Sequence, residues 1–198
     1  MHSFRLFLCL FSLVVSPILA TLTPEDQAKL AESGWDSFVG SDIGIWVSVK
    51  NQKLMLLRGY TPLLTTACST ASKGTGSRVN SLQTPLGWHR VREKIGDAMP
   101  WGAIFESRQF TGRVWSYTEP DSRDLILTRI LWLEGCEPGK NQGPGIDSYE
   151  RYIYIHATPE EDKLGSPASH GCVRISNSAI IRLFTVTPLN TPVLITEW

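Results

Sequence analysis

His156 and Cys172 are the residues of this chain best suited to covalent chemistry. His156 ends an apolar run, twelve residues intervene, and Ser169-His170-Gly171-Cys172-Val173-Arg174 follows. A thiol becomes a nucleophile when a base or a positive charge favours loss of its proton. A strand end would fix the His156 imidazole while a loop brings the thiol to it. Gly171 permits backbone geometry that a bulkier residue resists, so the N–H groups around Gly171 and Cys172 can converge on a developing oxyanion. His170 is expected to shape the loop by hydrogen bonding, and Ser169 to do the same or touch substrate. Arg174 offers a fork for a substrate carboxylate, or else an ion pair that fixes the loop. Singly, each residue has an ordinary structural explanation, because a lone Cys is usually a core residue and a lone His a hydrogen-bonded one.

The elements that must hold these groups read mostly as strands. Ile43, Ile45, Val47 and Val49 alternate with Gly44, Trp46 and Ser48, the period of a half-buried strand. A polar turn at Lys50-Asn51-Gln52-Lys53 leads into a second strand over Leu54 to Leu57. Thr61 to Thr70 is β-prone, Leu125 to Leu133 is a core strand, and Tyr152-Ile153-Tyr154-Ile155 is a compact strand with His156 at its end. Helical signals are short. Thr23-Pro24-Glu25-Asp26 combines a cap, a first-turn proline and acids, with Gly34 as the stop. Asn177 is expected to cap a helix carrying Ile180, Ile181 and Phe184, before a last strand over Val193 to Thr196. Gly and Pro punctuate the centre, and Gly135 to Gly145 reads as a loop.

The chain has 198 residues, room for one domain with a real core. Nineteen basic and nineteen acidic residues balance to zero, which argues against nucleic acid as a main partner. No apolar run reaches the ~18 residues of a membrane span. Met1 to Arg5 is weakly basic, Leu6 to Val15 is almost wholly apolar, and small residues lead to Ala20; this is the layout of a secretory leader over residues 1–20. Cys9 lies inside that apolar stretch. Export implies an oxidising compartment in which Cys68 and Cys136 could pair, although two small buried hydrophobes is the plainer reading.

Together, His156 and the run Ser169-His170-Gly171-Cys172-Val173-Arg174 resemble the signature of the L,D-transpeptidase catalytic domain (YkuD-like) family. Thr84-Pro85-Leu86-Gly87, Thr191-Pro192-Val193-Leu194-Ile195 and the Lys94 to Phe105 and Thr128 to Leu133 segments agree with it. The resemblance spans about Ile43 to Ile195. It implies a mainly β sandwich with short helices and a loop-rich active-site cleft. The expected organisation is a leader over 1–20, a helical segment over 21–40 and a catalytic domain over 41–198. The resemblance also makes Cys172 the nucleophile and His156 the base, oriented by the Ala157 backbone carbonyl where the family usually has glycine. It implies peptidoglycan stem peptides as substrates in the periplasm or cell envelope, with neither metal nor cofactor. The third-residue carbonyl is attacked, terminal D-Ala leaves, and an amine resolves the thioester into a 3→3 cross-link; water instead gives an L,D-carboxypeptidase. Lys94 to Trp115 reads as a lid over the cleft or as a packed loop.

Two other classes fit less well. In papain-like proteases the cysteine precedes its histidine, the reverse of the order here. Zinc held by His156, His170 and Cys172 lacks the fourth ligand of a closed site, leaving Glu160, Glu161 and Asp162 as a solvated acidic loop.

Overall fold

The computed structural model describes residues 21–116 and 124–198, so the expected leader lies outside the described residues. Thr23 opens helix α1 (Pro24–Glu32) with a capping box: its hydroxyl accepts from the Asp26 N–H, and the Asp26 carboxylate accepts from the Thr23 N–H. Gly34, at φ 88°, turns the chain into the short helix α2 (Trp35–Phe38). Strands β1 (Ile43–Ser48), β2 (Lys53–Arg58) and β3 (Thr61–Ala67) form an antiparallel meander. They are followed by β4 (Gly87–Ile95), β5 (Ala103–Glu106), β6 (Gln109–Val114) and β7 (Ile126–Gly135). The C-terminal third supplies β8 (Tyr154–Ala157), β9 (Val173–Ile175), helix α3 (Asn177–Val186) and β10 (Pro192–Thr196).

These strands form one network in the order β3-β2-β1-β10-β4-β7-β5-β6, from which β8 and β9 branch at β7. A register shift between Val91 and Glu93 interrupts the β4–β7 ladder, and such bulges let a sheet bend. The inner faces of β1, β2, β10 and β4 share one core with β7, β8, β9 and α3, through Ile45, Leu56, Leu131, Ile155, Val173 and Leu183. The fold is thus mainly β with short helices, as expected. No helix among the described residues is long and apolar enough to cross a membrane.

Several local expectations change. Strand β1 is buried on both faces, because α1 and α2 cover its second side with Leu30 and Trp35 against Trp46, Met55 and Leu57. Gln52, placed in a polar turn, is buried; its amide donates to Thr70 Oγ1 and its carbonyl oxygen accepts from the Thr70 N–H. The strand expected over Tyr152 to Ile155 runs from Tyr154 to Ala157, since Tyr152 takes φ 58° and cannot continue a ladder. Ser176, not Asn177, caps α3 through a bond from the Ala179 N–H. Cys68 and Cys136 are both free thiols and lie in different apolar clusters, so they do not pair.

Candidate active site

The site is assembled on the parallel pair β8–β9. Its register sets Ile155 opposite Val173 and His156 opposite Arg174. Side chains alternate along a strand, so Ile155 and Val173 face the core while His156 and Arg174 share the other face. Cys172, two positions before Arg174, lies on that same side as a diagonal neighbour of His156. Tyr154 joins them, and across β7 the register adds Ile130 and Trp132. Cys172 accordingly packs against the cluster of Phe105, Ile130, Trp132 and Tyr154.

His156 is buried, and its Nδ1 lies 2.8 Å from the Ala157 carbonyl oxygen. A carbonyl only accepts, so Nδ1 carries the proton and Nε2 of the neutral ring is the basic nitrogen. Alanine serves here as well as glycine because only the backbone oxygen is used. Burial depresses the imidazole pKa, opposed by the nearby Asp124 carboxylate. The Cys172 thiol donates to the Tyr152 carbonyl at 3.4 Å and accepts from the Tyr154 N–H at 3.4 Å. Burial pushes its pKa up to about 12. Both shifts disfavour the charged forms, thiolate and imidazolium.

The loop before Cys172 is held by its own polar groups. Ser169 is buried, donates to the Cys172 carbonyl at 2.6 Å and accepts from the Gly171 N–H at 3.2 Å. That bond occupies the Gly171 N–H, which corrects its expected use as a free oxyanion donor. Thr84 Oγ1 donates to the Gly171 carbonyl at 2.9 Å. Gly171 has φ 132°, which side chains disfavour. His170 is exposed and its Nδ1 donates to Asp124 at 2.8 Å.

Arg174 is completely buried, which corrects the expectation that it binds substrate. Its guanidinium donates to Asp124 at 3.0 Å, Glu160 at 2.8 Å and Ser69 Oγ at 3.2 Å. Burial alone would raise both carboxyls, yet Arg174, with His156 and His170 for Asp124 and Lys163 for Glu160, holds them below their ordinary values. Glu160 and Glu161 are therefore not a solvated loop: Glu161 accepts from the Asn177 N–H and side chain at 2.8 Å each.

Two cations near the thiol escaped the sequence reading. Arg108 lies over the Trp132 and Tyr152 rings at 4.9 and 4.7 Å and donates to the Tyr154 hydroxyl at 3.4 Å. It sits on the turn of the β5–β6 hairpin, within the segment read as lid or loop, where Ser107 and Arg108 have φ of 46° and 68°. Two consecutive left-handed residues make a tight hairpin turn, but Ser-Arg carries none of the usual Asn-Gly signal. Lys94, at the start of that segment, points elsewhere and donates to the Phe184 and Thr187 carbonyls at 2.7 Å. Arg151 donates to the Gln83 carbonyl at 2.7 Å and the Gly76 carbonyl at 3.2 Å, and its charge favours the Cys172 thiolate.

A mostly β domain that sets a thiol and an imidazole on one face of a parallel strand pair delimits the class. A model of the L,D-transpeptidase catalytic domain (YkuD) matches residues 42–195. The chain belongs to that family. A Bacillus subtilis (strain 168) protein named as an L,D-transpeptidase, YqjB, is 42% identical over 71 residues, 33% of this chain and 40% of that protein. L,D-transpeptidase 3 from Mycobacterium tuberculosis, in complex with a faropenem-derived adduct, is similar in fold with TM-score 0.50 at 15% identity; the match covers 78% of this chain and 60% of that one. For the L,D-transpeptidase from Xylanimonas cellulosilytica the TM-score is 0.47 at 19% identity, covering 88% and 70%.

Proposed function

We propose that this protein is a cysteine-dependent acyl transferase acting on peptidoglycan stem tetrapeptides, releasing terminal D-Ala through a thioester and forming 3→3 cross-links. The observation that carries the reading is the shared face of Cys172 and His156 on β8–β9, with His156 Nδ1 held by the Ala157 carbonyl so that Nε2 is the base. In the first half-reaction Cys172 sulfur attacks the carbonyl carbon of the third residue and its proton passes to His156 Nε2. Collapse of the tetrahedral intermediate breaks the bond to D-Ala, whose nitrogen takes that proton. The Cys172 N–H faces the oxyanion in this reading. Arg108, presented with aromatic rings beside the thiol, takes the substrate-carboxylate role first given to Arg174. A leader over residues 1–20 would deliver the enzyme to the periplasm or envelope.

The family relation and the faropenem-derived adduct on the Mycobacterium protein support a thiol-directed test. A carbapenem should add covalently to the wild-type protein and not to Cys172→Ala, as read by intact mass. His156→Ala should fold normally and acylate about 10²–10⁴-fold more slowly. Equal adduct on Cys172→Ala sinks the assignment, and unchanged kinetics in His156→Ala remove its role as base. Incubation with a disaccharide tetrapeptide then separates outcomes: dimer marks cross-linking, whereas tripeptide alone marks an L,D-carboxypeptidase.

A further inference from the structure

We propose that His170 is the base that activates the acyl acceptor, and that the pocket it borders receives the acceptor's amine. The proposal rests on the acyl-enzyme reading above and assigns its second half-reaction to a different imidazole from the first.

Three observations carry it. The first is the tautomer. Asp124 carboxylate oxygen lies 2.8 Å from His170 Nδ1 and can only accept, so Nδ1 holds a proton and Nε2 is the nitrogen that carries the lone pair in the neutral ring. Nε2 has no hydrogen-bond partner among the described residues. Asp124 is in turn fixed by buried Arg174, so the ring is oriented by a rigid group.

Exposure is the second. The His170 side chain is 63% exposed, whereas His156 as a residue is 2% exposed. His156 can serve a thiol delivered to it inside the fold, but an acceptor from a second stem peptide arrives through solvent. His170 is the imidazole that such a nucleophile meets.

Third, a pocket of about 180 Å³ is lined by His170, Glu150, Arg151, Tyr152, Val79 and Leu82. Tyr152, one of its lining residues, also supplies the carbonyl that accepts the Cys172 thiol at 3.4 Å, and His170 lies two residues before Cys172. Arg151 is tied to the Gly76 and Gln83 carbonyls. Glu150 is exposed and contributes the negative charge that draws an ammonium group. Exposed Val79 and Leu82 give the acceptor's aliphatic stem an apolar wall.

The step balances without another reactant. An amine that has shed one proton to solvent attacks the thioester carbon, and a C–N bond forms. The C–S bond breaks, one proton passes from nitrogen to His170 Nε2 and on to the departing sulfur, and Cys172 is again a thiol.

The test uses the full chain with a disaccharide tetrapeptide as donor and Nα-acetyl-lysine amide as acceptor. D-Ala release in the first turnover reads acylation; decay of the acyl-enzyme mass with added amine reads transfer. His170→Gln should acylate within about threefold of wild type, while amine-dependent decay slows by about 10²–10⁴-fold, so acyl-enzyme accumulates. Glu150→Gln should raise the amine concentration needed for half-maximal decay and leave acylation unchanged. Equal slowing of both steps in His170→Gln would assign the residue to loop shape and overturn the proposal, as would unchanged decay. Failure of the wild-type protein to form any acyl-enzyme overturns the acyl-transfer reading itself.

Discussion

The meander β1–β2–β3 and the strand pair β8–β9 solve opposite problems in one sheet network. Strands β1 and β2 pair over six unbroken registers, with apolar side chains buried on both faces. By contrast, the ladder that carries β8 shifts register between Leu127 and Ile130, and β-branched Thr128 is held at φ 67°. Around β8–β9 the buried groups include His156, Arg174, Ser69, Ser169 and Asn177. Apolar burial is favourable by area and needs no exact partner. A buried polar group is tolerated only when each donor and acceptor is met. The Thr128 hydroxyl bonds Asn177 Oδ1 and accepts from the Gly102 N–H, so the strained residue joins the β5 approach to α3. The meander can therefore absorb sequence change, whereas the site half is a chain of mutual dependencies.

Removing one charge should show this most strongly. Arg174→Met leaves Asp124 and Glu160 facing each other without their shared cation. Breaking a buried pair in this way costs about 3–5 kcal/mol; both carboxylates retain some exposure, which places the loss near 3. Leu56→Ala in the meander costs a similar amount, about 2–5 kcal/mol. The two variants part in activity. Urea titrations should show comparable losses, while carbapenem acylation per folded molecule should fall only in Arg174→Met, because Asp124 and the loop lose their anchor. An Arg174→Met protein as stable and as reactive as wild type would erase the contrast.

The same contrast explains what the sequence made legible. A period-two apolar pattern located β1, and short apolar segments located β2, β7 and β10, each to within a residue or two, because area burial leaves a trace in residue type and spacing. Cys172 and His156 could be singled out as candidates because a thiol and an imidazole are distinctive residue types and the order His before Cys narrows the family. Asp124, Glu160 and Glu161 were missed as partners: a carboxylate that neutralises a buried arginine, or that accepts from the Asn177 N–H as Glu161 does, looks like any surface carboxylate until the fold brings the groups together. Arg174 was misassigned for the same reason, its chemistry fitting a ligand and an ion pair equally well. Arg108 depends on a Ser-Arg turn with left-handed φ values, which residue type does not announce.

Acid should sharpen the comparison next. His89, in β4, is buried between the Gly87 carbonyl and the Ser148 hydroxyl, and burial lowers its pKa from 6.5 to about 4. His156 is depressed in the same direction. A folded-state pKa below the unfolded value means that the unfolded chain binds the proton first. The stability from these histidines is thus complete above about pH 6.5 and declines as pH falls. For His89 the loss by pH 5 is about 2 kcal/mol, at 1.36 kcal/mol per pH step. Urea midpoints at pH 7.5 and 5.0 check this, and His89→Gln should flatten its part of the slope while leaving the His156 contribution. A midpoint independent of pH across this range would refute neutral burial of both rings.

The smallest effect compares two helix starts. At α1 the cap is self-contained: exposed Thr23 and half-buried Asp26 satisfy each other. At α3 the cap is shared. Ser176 Oγ accepts from the Ala179 N–H at 3.2 Å, while Glu161 takes the Asn177 N–H from across the loop that precedes Cys172. Losing a capping side chain costs about 0.5–2 kcal/mol. Thr23→Ala removes the bonds made by the hydroxyl and keeps the backbone N–H bond to Asp26; α1 can fray without disturbing the sheet, so the loss should appear as faster amide exchange over Glu25 to Lys29 with a nearly constant urea midpoint. Ser176→Ala leaves the Glu161 carboxylate at the positive end of the helix dipole, where it still meets an exposed donor charge. That variant should lose about 0.5 kcal/mol, spread over the whole cooperative transition because α3 packs on β7 and β8. Adding Glu161→Gln to Ser176→Ala should cost more than the sum of the single changes, since each acceptor now covers for the other. Strict additivity would mean that the loop between His156 and Cys172 and the start of α3 are independent, and the dependence drawn between site and helix would fail at this joint.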